Sequence, residues 1–394
     1  MRSILTKFYL YYFFYTLTPA ILFYNLIKKD YGIAPLAIAT LLAVYMVTKL
    51  ITEIPSGIWA DKYSRRTLTL IGTALYAVGA LLILISKTYT SFFLASIAFG
   101  LCDSVKSGTV DAFLYDELKS INREDYYPRA LSITTCIISY AFAISCFVDI
   151  FLIKYGYDLL LIITIISVLF SAVFVLMLKE TRHADDIAAN MSYIEVFKKG
   201  GSIVFHNSYL TKIILFSAFY GAVIMSFGNY WTNYADSLSF TKEKMALIAC
   251  IQIAAEGTLK FFTYKLRLNL KQMLITSVIL CVFVTIMSVF FFNTWFPSLI
   301  WPIFAFDCYR MNRINTILQE AAESKVRATV LSFSGFFNEI NNSIMVLIFG
   351  FLIGVIGYQQ TITIFCLLLG LVCISLLIAH IMFYGKTRAM HLNR

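Results

Sequence analysis

Residues 53–66 read EIPSGIWADKYSRR. An apolar run stops inside this stretch, and Asp61, Lys62, Arg65 and Arg66 follow within six residues. That junction reads as a helix leaving a hydrocarbon layer, with its basic residues anchored at the membrane face. On either side of it the chain returns to long apolar runs. Of the 394 residues, 60% are hydrophobic and 14% charged, where a soluble domain carries roughly a quarter charged. No globular core could absorb that excess, so the solvent implied is a bilayer. About 20 apolar residues cross the hydrocarbon once. Segments of that kind fall near 8–28, 34–58, 67–86, 91–118, 129–152, 157–178, 209–232, 243–264, 272–293, 295–318, 327–352 and 358–384. The fold class implied is an all-α integral membrane protein of twelve transmembrane helices.

The net charge of +10 does not gather into one basic patch, so no nucleic-acid partner is expected. The first run, from Phe8, continues without a small-residue cleavage site and reads as a true first span. With a cytoplasmic N-terminus, 23 of the 32 Lys and Arg fall in inner segments, six in outer ones and three inside spans. The positive-inside rule then places both termini in the cytoplasm of a multi-pass inner-membrane protein. The cysteines lie singly inside apolar runs, and His183, His206, His380 and His391 are scattered. They suggest neither a metal site nor a clustered nucleophile, so an enzyme is not expected and no cofactor is called for.

The only long polar connection is 179–207, KETRHADDIAANMSYIEVFKKGGSIVFHN. It divides the chain into bundles 1–178 and 208–394, and its Ile187–Phe197 segment has the apolar spacing of a surface helix. The halves also match. YYPRALSITTCIIS (126–139) aligns with SKVRATVLSFSGFF (324–337), and Glu53 aligns with Glu256. A duplicated six-helix unit is a transporter architecture, with the substrate site at the repeat interface.

In the opening stretch, Gly57 lets a neighbouring helix approach closely, and Asp61 offers an acceptor just past the helix end. The spacing G-x-x-x-D-[RK]-x-x-R-[RK], here Gly57, Asp61, Lys62, Arg65 and Arg66, resembles the signature loop of the major facilitator superfamily, in particular its drug and small-molecule efflux branch. The resemblance implies a secondary transporter of two six-helix bundles around a central cavity that opens alternately to either side. It also implies that Gly57, Asp61, Arg65 and Arg66 belong to an interdomain latch. Ser64 stands where the second loop glycine is usual, and the matching loop YKLRLN (264–269) has no acid. Span five also lacks the glycine–proline signature of the antiporters.

An ionisable side chain at the bilayer centre costs at least ~2.5–3.5 kcal/mol, so each should face protein or a wet cavity. In span four, Asp103 and Lys106 lie three apart and can pair. They read either as a neutralised structural pair or as a proton site. Asp111 has no base within one turn and reads as a proton carrier or as a contact of the loop. In span ten, Asp307, Arg310 and Arg313 recur at steps of three. In span eleven, Glu339 sits among Asn338, Asn341 and Asn342. These residues form the candidate cavity wall, in which Arg310 either binds an acidic substrate group or pairs with Asp307 or Glu339. Lys49 with Glu53, and Glu256 with Lys260, read as structural pairs. Tyr15 and Asn229 are further cavity candidates, and Trp231 and Asn233 suggest a gate. The reading is a proton-coupled transporter, a monomer in contact with lipid, moving a small amphipathic molecule such as a drug, antibiotic or peptide-like compound. Export by antiport is expected first, with nutrient import by symport or uniport as the alternative.

Overall fold

The computed structural model describes residues 1–107, 109–180, 201–202, 204–262, 268–290, 301–321 and 327–392. The linker segment Ile187–Phe197 and residues 293–298 (NTWFPS), between the ninth and tenth apolar segments, lie outside them. All regular structure among the described residues is helical. We label the helices α1 Arg2–Thr16, α2 Tyr24–Asp30, α3 Pro35–Lys62, α4 Arg65–Ile85, α5 Tyr89–Lys106, α6 Thr109–Lys119, α7 Tyr127–Leu152, α8 Tyr157–Leu176, α9 Ser208–Ser237, α10 Lys242–Phe262, α11 Leu270–Phe290, α12 Trp301–Ala321 and α13 Arg327–Leu392.

Seven single helical stretches are long and apolar enough to cross a membrane unaided. An eighth, Phe333–Ile381, is long enough for two crossings. Gly357 divides it: its φ of 80° is left-handed and breaks the helix within α13, a conformation that glycine adopts without a Cβ penalty. The remaining spans, four, eight and ten, carry interior charges: Asp103, Lys106 and Asp111; Glu256 and Lys260; Asp307, Arg310 and Arg313. With these, the spans traced among the described residues number twelve.

Two spans depart from the unbroken helices expected. Span one is α1, a 3₁₀ turn over Pro19–Phe23, then α2. Pro19 has no N–H to donate, so it suits the first position of a new turn and not a helix interior. Span four breaks at Ser107 into α5 and α6. Asp61 is also not past a helix end, because α3 runs on to Lys62. Ser64 is the N-cap of α4, accepting from Thr67 N–H at 3.0 Å, which is why serine serves where a glycine was expected.

The chain clusters into two compact units, Met1–Asn190 with Thr232–Phe261, and Met191–Trp231 with Phe262–Arg394. In the first, α4 packs against α5 and α8, α3 against α5, and α1 against α7 and α8. Its core joins Leu5, Phe8 and Tyr11 of α1 to Phe113, Leu114 and Leu118 of α6. In the second, α11 and α12 pack against α13. The seven described cysteines are all free.

Candidate functional site

Within the first unit, the interior carboxylates are held by tyrosines. Tyr45 of α3 donates its hydroxyl to Asp103, and Tyr12 of α1 donates to Asp111 at 3.0 Å. The break at Ser107 puts Asp111 in the first turn of α6, where a carboxylate also meets the positive end of the helix dipole. No cation lies within ion-pairing distance of either acid among the described residues.

Lys106 does not pair with Asp103, contrary to the i,i+3 expectation. Its ammonium sits 2.8 Å from the centroid of the Tyr15 ring and 5.2 Å from that of Tyr11, a cation–π arrangement. Its stem fills the space left by Gly72, where an added Cβ would come within 2.5 Å of Lys106 Cγ. Tyr15 itself lies among Cys102, Tyr76 and Lys106.

At the loop end of this unit, Arg65 bonds Asp116 and the Ala112 carbonyl, the latter at 2.8 Å. Arg66 donates to Leu176 O at 2.6 Å. Glu180 receives the Ser64 hydroxyl and the Arg65 N–H. These contacts of Arg65 and Arg66 stay inside the first unit. The side chains of Gly57's neighbour Ile58, of Asp61 and of Lys260 lie outside the described set. Lys49 and Glu53 are half-buried on α3, and Glu53 accepts from Ser107 Oγ at 3.4 Å.

The opposite end of the first unit is clasped by charge. Lys29 bridges to Asp236 at 2.7 Å, and Lys242 to Asp30 at 2.8 Å. Tyr157 also donates to Asp30 at 2.7 Å, and Asn233 Nδ2 donates to Asn25 O at 3.2 Å. The sequence position of Asn233 suggests a gate residue, and the structure gives it this bond to α2. These bonds tie α2 to the last turn of α9 and the start of α10.

The second unit neutralises its acid differently. Arg310, 1% exposed, donates from Nε and Nη2 to Asp307 Oδ1 at 2.8 and 2.6 Å. Its Nη1 reaches Ser217 Oγ at 3.2 Å, and its guanidinium lies 5.0 Å from the Tyr220 ring centroid. Arg313 is apart from this group and donates to Leu268 O at 3.0 Å. Asn341 donates to Ala218 O at 2.8 Å, while Asn338 Oδ1 is buried with no hydrogen-bond partner. Glu339 and Asn342 are half-buried on the same stretch of α13. Asn229 bonds Met225 O at 2.9 Å within its own helix. No group of three His, Cys, Asp or Glu suited to a metal occurs among the described residues.

Sequence reasoning passed over one interior acid. Asp149 of α7 is fully buried, and neither carboxyl oxygen has a partner. The signal available was an aspartate inside an apolar run of span five.

The family model described as Major Facilitator Superfamily matches residues 5–346. The chain belongs to the major facilitator superfamily. Membership makes it a multi-pass membrane protein of a superfamily of transporters. Among curated proteins it resembles the uncharacterized MFS-type transporter YxaM of Bacillus subtilis (strain 168), 23% identical over 231 residues. That match spans 57% of this chain and about half of the relative, 55% of its length. Among solved structures, the nucleoside transporter NupG superposes with a TM-score of 0.74 at 16% identity, covering 95% of this chain and 98% of that one. A D-xylose-proton symporter superposes with a TM-score of 0.69 at 12% identity, covering 94% and 95%. At such identities the shared property is the superfamily fold.

Proposed function

We propose that this superfamily member exports a small amphipathic molecule by alternating access, driven by proton entry. The observation that carries the reading is that Asp103 and Asp111 are held by neutral tyrosine hydroxyls. A proton can neutralise such a carboxylate without breaking an ion pair, and its affinity depends on how far the site is hydrated. Asp111 is the principal proton carrier, with Asp103 and Glu339 as further candidates. Asn338, Asn342, Asn229 and the Tyr15 ring offer surfaces to an amphipathic substrate.

The distribution of Lys and Arg supports a cytoplasmic N-terminus. The Lys29–Asp236 and Lys242–Asp30 clasp then lies at the outer face, and Asp61, Arg65 and Arg66 at the inner one. We take the moving bodies to be 1–178 and 208–394, joined by 179–207, in a monomer within the inner membrane. A second reading, nutrient import by proton symport, is favoured by the fold shared with the D-xylose-proton symporter.

A growth screen with and without the protein against toxic amphipathic compounds, followed by flux in vesicles with an imposed pH gradient, tests this. Export is supported if the protein confers resistance and a hit compound moves opposite to the protons. Acid-driven uptake of a sugar or nucleoside, with no resistance to any compound, would replace export with symport.

A further inference from the structure

We propose that each unit carries a binding site for an anionic phospholipid, whose phosphate is held by a pair of cations from two neighbouring helices. The cytoplasmic N-terminus proposed above puts both sites in the inner leaflet. The lipid class itself depends on neither the substrate nor the direction of transport.

In the first unit, Lys7 of α1 donates to Met177 O at 2.9 Å, and Arg66 of α4 donates to Leu176 O. The two cations therefore converge on adjacent carbonyls at the C-terminal end of α8. A helix end carries only about half a negative charge, so two full positive charges are not balanced there. No carboxylate pairs with either cation among the described residues. Glu180, the acid that follows α8, is taken by the Ser64 hydroxyl and the Arg65 N–H. An anion from outside the chain completes this end.

The flank of the same helix says which anion fits. Ile166, Leu169, Val173 and Leu176 form one exposed apolar stripe down α8, at the spacing of a single helix face, and α8 packs beside α4. The stripe alone belongs to any helix that faces lipid. Cations at its end add the choice of headgroup. A free phosphate would leave the stripe unused, whereas a phospholipid lays its acyl chains along it and its phosphate against Lys7 and Arg66. Basic pockets at the cytoplasmic ends of spans hold anionic headgroups in this way.

The second unit repeats the arrangement. Lys212 of α9 donates to Ala379 O of α13 at 3.1 Å. Lys271 is exposed in the first turn of α11, which packs against α13. His380 lies beside the Tyr209 ring and within electrostatic reach of both lysines. Leu371, Ile374, Ile378 and Ile381 are the exposed stripe of α13. Lys212, Lys271 and these four residues follow Lys7, Arg66, Ile166, Leu169, Val173 and Leu176 by 205 residues each. One constant offset for both cations and the whole stripe is what a duplicated lipid site requires.

Native mass spectrometry with phosphatidylglycerol, against phosphatidylcholine of the same chains, counts the lipids retained. The wild type is expected to hold two phosphatidylglycerol molecules in preference, with one lost in Lys7→Gln and one in Lys271→Gln. Equal retention of the two lipids, or full retention in both variants, overturns the proposal. A second measurement needs no variant: succinimidyl-ester labelling of the wild type in nanodiscs of either lipid. Labelling of Lys7 and Lys271, each relative to the exposed Lys119, is expected to fall several-fold in phosphatidylglycerol. Unchanged ratios overturn the sites. Neither measurement uses a substrate, so either result stands apart from the export reading.

Discussion

Spans four and ten carry the same device and use it in opposite ways. Asp103 and Lys106 lie 204 residues before Asp307 and Arg310, so each half of the chain has an acid followed three residues later by a base. In span ten the device closes on itself, with two guanidinium nitrogens on one carboxylate oxygen. In span four it is open: Tyr45 takes the acid, and Tyr15 and Tyr11 take the base. Arginine's planar fork makes several fixed bonds at once, whereas lysine is a point charge on a flexible stem that settles readily on a ring. In a closed pair the guanidinium already balances the carboxylate's charge. An open pair leaves its acid free to gain a proton. The comparison therefore gives span ten a structural role and, on the proposed function, leaves proton exchange to span four.

Breaking the closed pair should have the largest effect. Arg310→Met leaves Asp307 buried without its cation and should cost about 3–5 kcal/mol of stability. Replacing both, Arg310→Met with Asp307→Leu, should recover most of that loss, because a well-packed apolar pair of similar volume substitutes for a buried ion pair. Reversible unfolding in mixed micelles measures both variants. If the single and double variants are equally destabilised, the pair is not the structural element described.

The open device should respond less. Gly72→Ala places a methyl against the Lys106 stem and should cost about 1–3 kcal/mol as overpacking, read by the same unfolding assay. A Lys106→Ala change in the Gly72→Ala background should relieve that cost. No relief would mean that Gly72 accommodates something other than Lys106.

The clasp at the α2 end should matter least. Lys29 and Asp236 are each about a third exposed, so Lys29→Ala should cost about 0.2–1 kcal/mol. Its rate effect should appear in transport at low ionic strength and fade with salt, since exposed charges are screened within a Debye length. A salt-independent loss would point to a role beyond charge.

Most of the fold was legible because membrane solvent forces its signature on sequence. Apolar runs, the polar break at 53–66 and the charge-poor loops located the spans to within a few residues. The breaks inside spans one and four were less visible. Pro19 is a breaker that span one's apolar composition outweighed, and Ser107 interrupts span four without a proline. For the site, helical spacing indicated which residues share a face. It could not show that Tyr45, from another helix, would take Asp103 from Lys106. Asp307 and Arg310 did meet as their spacing allows. Asp149 escaped notice because what sets it apart is its surroundings, full burial with no donor to either oxygen, which no single-helix pattern encodes.

The most direct test compares gradient-driven transport with gradient-free substrate exchange in proteoliposomes, using a compound from the growth screen. Asp111→Asn should lose the gradient-driven flux and keep exchange, while the Arg310→Met, Asp307→Leu double variant keeps both. Full gradient-driven flux in Asp111→Asn, or its loss in the double variant, would contradict the assignment of proton exchange to span four.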